Sequence, residues 1–168
     1  MDVIRCLDKS AVHWNTPYEV WELIEDYLPR GENDVIWEPF YNETSKSAQY
    51  LRELGCKVVS GNVDFYHQTV PLGSHIVTNP PFDKKEDVIA HLAKLDCAFI
   101  LILPIHSLCT RFIKNHFKNK LQLLIPDMRI HFSKKDRKTG EIITLKRTPF
   151  DSVFYCYKMN LEHDLIWL

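Results

Sequence analysis

Ser74-His75-Ile76-Val77-Thr78-Asn79-Pro80-Pro81-Phe82 is the stretch whose reading decides the fold. The short apolar run at Ile76 and Val77 reads as a buried strand. Two successive prolines donate no backbone N–H, so the strand has to stop at Asn79. Each residue before a proline is pushed towards extended geometry, and the result is a stiff corner. Such a corner at the C-terminal end of a strand is where open α/β sheets take their ligands. Asn79 offers an amide oxygen, Pro80 a carbonyl released from the ladder, Pro81 rigidity and Phe82 a ring. Together they suit a planar group that carries an exocyclic amine. Two oxygens can accept the two amine hydrogens, and stacking on an aromatic ring is worth roughly 1–3 kcal/mol for a nucleobase. Holding both hydrogens draws lone-pair density out of the ring and readies the nitrogen to attack a methyl group. Asn79, Pro80, Pro81 and Phe82 are therefore the candidate catalytic residues. A proline-ended strand with a packed phenylalanine is the bland alternative, and the order of the surrounding elements decides against it.

Outward from the corner, strands and helices alternate. Upstream, Thr16 with Glu19 spells a capping box and Pro17 falls at a first helical position, so the spacing predicts a helix over 17–28. A buried strand over 34–40 follows, closed by Pro39 and carrying the carboxylate of Glu38. A helix over 43–54 ends at Gly55, and a second strand covers 57–60. Downstream, the pattern gives a helix over 84–95 and a continuous apolar strand over 98–103 covered on both faces. A helix over 107–118 and a strand over 121–125 come next. Two strands at 128–132 and 141–145 then flank a polar link and read as a hairpin, and a final strand covers 152–157. This order predicts a mostly parallel, doubly wound α/β sheet with antiparallel terminal strands, built as one domain over residues 1–168.

Composition narrows the class. The 168 residues are 45% hydrophobic and 26% charged, ordinary values for a globular protein. No apolar run is long enough to span a bilayer, and the first residues lack a secretory pattern. Five cysteines (Cys6, Cys56, Cys97, Cys109 and Cys156) lie far apart with no Cys-x-x-Cys, which points to neither zinc nor disulfides. An intracellular setting, cytoplasm or nucleus, fits. The net charge of −1 hides an asymmetry. Residues 131–147 hold Lys134, Lys135, Arg137, Lys138, Lys146 and Arg147 against Asp136 and Glu141, a net of +4, while the rest of the chain carries −5. A basic hairpin of this kind is a candidate contact for a polyanion.

The set of motifs resembles the S-adenosylmethionine-dependent adenine-N6 methyltransferases. Glu38-Pro39-Phe40, with Asn79-Pro80-Pro81-Phe82 some forty residues later, resembles that family's cofactor strand and catalytic corner. Asn15-Thr16-Pro17 resembles the segment before the cofactor strand in DNA members, and Asp64-Phe65 the step before the catalytic strand. Phe150-Asp151-Ser152-Val153-Phe154-Tyr155-Cys156-Tyr157 resembles the closing strand of small phage or viral-type DNA adenine methyltransferases. These stretches span most of residues 13–157. The resemblance implies a Rossmann-like class I methyltransferase fold and S-adenosyl-L-methionine as cofactor. It implies that Glu38, Pro39 and Phe40 face the methionine end, with Thr16 and Pro17 near its carboxylate. Asp64 and Phe65 would meet the cofactor's adenine; the family's ribose-binding acid after the second strand has no evident counterpart in this sequence, and Asn62 or Ser60 is the candidate to take its place. Asn79, Pro80 and Phe82 would hold an adenine flipped out of the strand. No metal is required.

The resemblance leaves three readings open. The first is methyl transfer to the N6 amine of adenine in DNA, and the second is the same chemistry on RNA. The third is a catalytically inactive nucleic-acid-binding subunit. It is motivated by Phe40-Tyr41-Asn42-Glu43-Thr44-Ser45, which lacks the small residues the family places after its cofactor strand. With so short a chain, a protein partner could supply target recognition. Any of the three would work on nucleic acid and none on a membrane.

Overall fold

A computed structural model describes residues 14–40, 45–61, 64–81, 84–136, 138–145 and 148–168. The first elements among the described residues are α1 (Tyr18–Glu22) and a 3-10 turn at Glu25–Tyr27. It continues through β1 (Val35–Glu38), α2 (Ser47–Glu53) and β2 (Val58–Ser60). A 3-10 turn at Phe65–His67 leads to β3 (Ser74–Thr78), α3 (Lys85–Leu95) and β4 (Phe99–Pro104). A 3-10 segment at Ile105–Cys109, α4 (Arg111–Phe117) and β5 (Leu121–Ile125) follow. β6 (Ser133–Lys135) and β7 (Ile142–Thr144) pair with each other, ahead of β8 (Ser152–Tyr157) and β9 (Leu165–Trp167).

Seven strands form one sheet in the order β2-β1-β3-β4-β8-β5-β9. All neighbours are parallel except β8, which runs antiparallel between β4 and β5. The fold is thus the Rossmann-like, mostly parallel α/β arrangement expected of a class I methyltransferase. β8 can sit inside the sheet because its six residues are all buried. Strand alternation sends Ile100 and Ile102 of β4 to one face, with Trp21, Ile24, Leu51, Val77 and Phe154. Phe99, Leu101 and Leu103 go to the other, with Val88, Leu92, Ile113, Phe117 and Tyr155. Burial on both faces is why β4 reads as an unbroken apolar run.

Four local expectations need correction. The helix expected over 17–28 is five residues of α1 and a separate 3-10 turn, because Ile24 leaves helical geometry at ψ 17°. No capping box forms. Pro17 is the N-cap, in extended geometry and without a side-chain cap bond, and the Thr16 hydroxyl is used elsewhere. The hairpin strands begin later than 128 and 141, since Asp136 fixes the turn by accepting the amides of Lys138 (2.6 Å) and Thr139 (3.1 Å). The terminal strands are not all antiparallel. The short β9, which has no alternating pattern to announce it, joins β5 in parallel at the sheet edge.

Candidate active site

The sheet order reverses at β1. The chain passes from β1 to β2 on one side and returns through β3 on the other. Ligands of open α/β sheets bind beyond the carboxyl ends of the strands at such a switch point. Those ends carry Glu38 on β1 and Thr78-Asn79 on β3, motifs forty residues apart that the fold makes neighbours. The Thr78 hydroxyl donates to Glu38 Oε1 at 2.7 Å, and the Phe40 amide donates to the same oxygen at 3.0 Å. Glu38 is only 3% exposed. Burial pushes its carboxyl above the ordinary range, against the pull of those two hydrogen bonds.

Asn79 is half-buried beyond the end of β3, followed by a buried Pro80 and a half-buried Pro81. Its Nδ2 donates to the Trp14 carbonyl (3.2 Å) and to Thr16 Oγ1 (3.1 Å). A carbonyl oxygen only accepts, so Trp14 selects the NH2 side of the amide and turns Oδ1 the other way. Oδ1 is buried and takes no hydrogen bond from any described residue. None of the described residues donates to the Pro80 carbonyl either, while Pro81 O accepts from Lys84 N at 3.3 Å. A buried acceptor without a donor costs about 1–3 kcal/mol, which sets Oδ1 apart as an unpaired polar atom at the end of β3.

Beside Glu38 lies a cavity of about 210 Å³, lined by Ser45, Lys46, Ala48, Gln49, Arg52 and Ser60. It spans the carboxyl ends of β1 and β2 and the start of α2. Trp21 Nε1 donates to Ser47 Oγ at 3.2 Å and fixes where α2 begins. Glu38 offers a carboxylate to an ammonium group, and Lys46 and Arg52 offer cations to a carboxylate. Ser60 Oγ is buried and has no hydrogen-bond partner among the described residues. This donor set fits the zwitterionic end of an amino acid, and the volume holds that end of a larger ligand.

The structure brings some of the predicted residues to this place and keeps others from it. Thr16, Glu38 and Asn79 converge. Pro39 is buried, and Phe40 turns into the core while its amide holds Glu38. Phe65 is 0% exposed, with ring centroids of Phe40 at 4.8 Å and His91 at 4.8 Å, so it has no face to offer an adenine. Asp64 accepts from the Tyr66 amide at 3.0 Å and pairs with His67 Nδ1 at 2.6 Å, which fixes the turn around Phe65. Asn62, Phe82, Arg137, Lys146 and Arg147, with the loop 41–44, lie outside the described residues. Lys46, Gln49 and Arg52 were missed in the sequence. Their spacing of three, opposite Leu51, was the signal that one side of α2 is polar.

The basic hairpin is tied to the site through one segment. Asn15 and Ser133 form an isolated antiparallel bridge, with N–H···O distances of 2.7 and 2.9 Å. Trp14 packs edge-on between Phe132 and Phe150, with both centroid distances 6.4 Å. Lys135 and Lys138 are exposed and Lys134 is half-buried.

No protein-family model matches the chain, and no curated protein matches it. Solved structures similar to it in part include two methyltransferases. Precorrin-6y C5,15-methyltransferase from Geobacter metallireducens gives a TM-score of 0.43 at 11% identity, over 82% of this chain and 85% of that one. The tRNA (m1A58) methyltransferase TrmI from Aquifex aeolicus gives 0.39 at 15% identity, over 84% and 68%. Both scores and both identities are low, so the site is read from its own geometry.

Proposed function

We propose that the protein transfers a methyl group from S-adenosyl-L-methionine to the N6 amine of an adenine in nucleic acid, with DNA as the substrate. One observation carries this reading. At the switch point, the Asn79 amide is turned by the Trp14 carbonyl so that its oxygen is buried and takes no hydrogen bond, and no described residue donates to the carbonyl of the next residue, Pro80. Those two acceptors match the two hydrogens of an exocyclic amine. Glu38, Lys46 and Arg52 would hold the amino-acid end of the cofactor in the adjoining cavity, and Ser60 a hydroxyl. When bound, that group would supply an electrophilic methyl for the amine. Asn79 and Pro80 orient and polarise the amine, which is catalysis by positioning. Lys134, Lys135 and Lys138 would meet phosphates flanking the target base.

The test is incubation of the protein with methyl-labelled cofactor and adenine-containing DNA and RNA oligonucleotides of matched sequence. N6-methyladenine in the DNA is the expected product. Label in the RNA alone would move the substrate to RNA. The small cavity beside Glu38 favours a second reading, a nucleic-acid-binding subunit that holds no methyl donor. Calorimetry with the cofactor separates the two, since micromolar binding belongs only to the enzyme.

A further inference from the structure

The hydrogen bonds at Asn79 give Thr16 a task different from the cofactor contact expected of it. Thr16 is 3% exposed, and its hydroxyl oxygen is engaged by Asn79 Nδ2. An asparagine amide is nearly symmetric in shape, and only its neighbours decide which end faces which way. The Trp14 carbonyl, which can only accept, makes that decision, and Thr16 Oγ1 holds the same NH2 group as a second acceptor. Both belong to a three-residue segment whose middle member, Asn15, is bridged to Ser133 of β6 in both directions. The opposite end of that segment is wedged between Phe132 and Phe150 by the Trp14 ring. Residues 14–16 are therefore a strut. One side is fastened to the lysine-bearing hairpin and the other to the acceptor amide.

We propose that Thr16 is a positioning residue which locks the Asn79 amide with Oδ1 towards the target amine, and that the strut couples this lock to nucleic acid gripped by the hairpin. The inference rests on the reading of Asn79 given above. It assigns Thr16 to the acceptor and leaves the methionine carboxylate to Lys46 and Arg52. A strand held by Lys134 and Lys135 presses on β6, and the bridge passes that load to the amide. The acceptor is then set by the same segment that senses the substrate.

The test uses the full chain as wild type, Thr16→Val and Thr16→Ser, with thermal melts to verify folding. Two quantities are read: the Asn79 side-chain NH2 resonances, assigned by their loss in Asn79→Ala, and methyl transfer to an adenine oligonucleotide. Valine keeps the shape and removes the acceptor, so the resonances should move. The kcat should fall tenfold or more, with KM for the oligonucleotide within twofold. Serine restores the oxygen and should return both readings to within about threefold of wild type. Unmoved resonances in Thr16→Val, or a folded Thr16→Ser that rescues nothing, would overturn the lock. If the wild type transfers no methyl group, the proposed function fails, and the resonances alone decide the lock. For the coupling, oligothymidylate is the probe, because it has no adenine to enter the corner. It should shift the Asn79 resonances of the wild type and fail to do so in Asn15→Pro, which removes the N–H given to Ser133. Resonances that stay still at saturation in the wild type would overturn the coupling.

Discussion

Asn79 and Glu38 are single residues whose surroundings define what they can do. Replacing Asn79 by alanine removes a polarising acceptor, and methyl transfer should slow by roughly 2.7–4 kcal/mol in barrier, read as kcat in a steady-state assay. Stability should change little, because alanine takes the donor from the Trp14 carbonyl but also removes the unpaired buried oxygen. Asn79→Asp should melt lower than Asn79→Ala, since a carboxylate cannot donate to Trp14 and would set oxygen against oxygen. An equal or higher melting temperature for the aspartate would contradict the assigned orientation of the amide. Glu38 gives a prediction in pH. Its carboxyl is raised by burial, so the native state keeps a proton over a window in which the unfolded chain has already released it. Stability falls as pH rises through that window, from the ordinary glutamate value of about 4.3 up to the raised one. Glu38→Gln keeps the acceptor for Thr78 and Phe40 but carries no charge. It should be more stable at pH 7, flatten the pH dependence of denaturant unfolding over that window, and lose cofactor affinity. A glutamine variant less stable at pH 7 would refute the account of the buried charge.

The hairpin and the strut are the elements that relate this pocket to a substrate. β6 and β7 stand outside the main sheet, held by the bridge to Asn15, and the Leu145 amide extends their pairing by donating to the Phe132 carbonyl at 2.9 Å. Changing Lys134, Lys135 and Lys138 together to glutamine should weaken binding to oligonucleotides of any sequence. The slope of log affinity against log salt should become shallower by about 2–3, at roughly 0.7–0.9 for each phosphate that is no longer neutralised. An unchanged slope would remove the hairpin from the interface. The strut was not legible in advance. Thr16, Pro17 and Glu19 carry every local sign of a helix start, and the sequence has no way to announce that Asn79, sixty-three residues away, competes for the Thr16 hydroxyl. Phe65 misled for a related reason. A motif match places a ring next to a cofactor strand, but only packing decides whether it faces a ligand or the core, and Trp37, Phe40 and His91 enclose it. The corner, by contrast, could be read directly, because two prolines end a strand through covalent geometry alone.

The architecture of the whole molecule explains why two distant motifs share one site. The apolar run of β4 and the regular exchange of strand and helix before it are strong local signals, and they lead to the doubly wound sheet that the topology meets. Strand order is a long-range property, so the insertion of β8 between β4 and β5 and the parallel edge strand β9 were beyond local pattern. From that order follows the switch point, and with it the meeting of Glu38 with Thr78-Asn79, where the Thr78 hydroxyl reaches the carboxylate at 2.7 Å. Among the described residues, no helix is long and apolar enough to cross a membrane. The central claim is that this meeting place brings a methyl donor and an adenine amine together. It is tested most directly by mass spectrometry of nucleosides from an adenine oligonucleotide treated with the purified protein and isotopically labelled S-adenosyl-L-methionine. Labelled N6-methyladenine that disappears in Asn79→Ala is the predicted result. Cofactor binding without any labelled adenine, or label that persists at the same rate in Asn79→Ala, would contradict it.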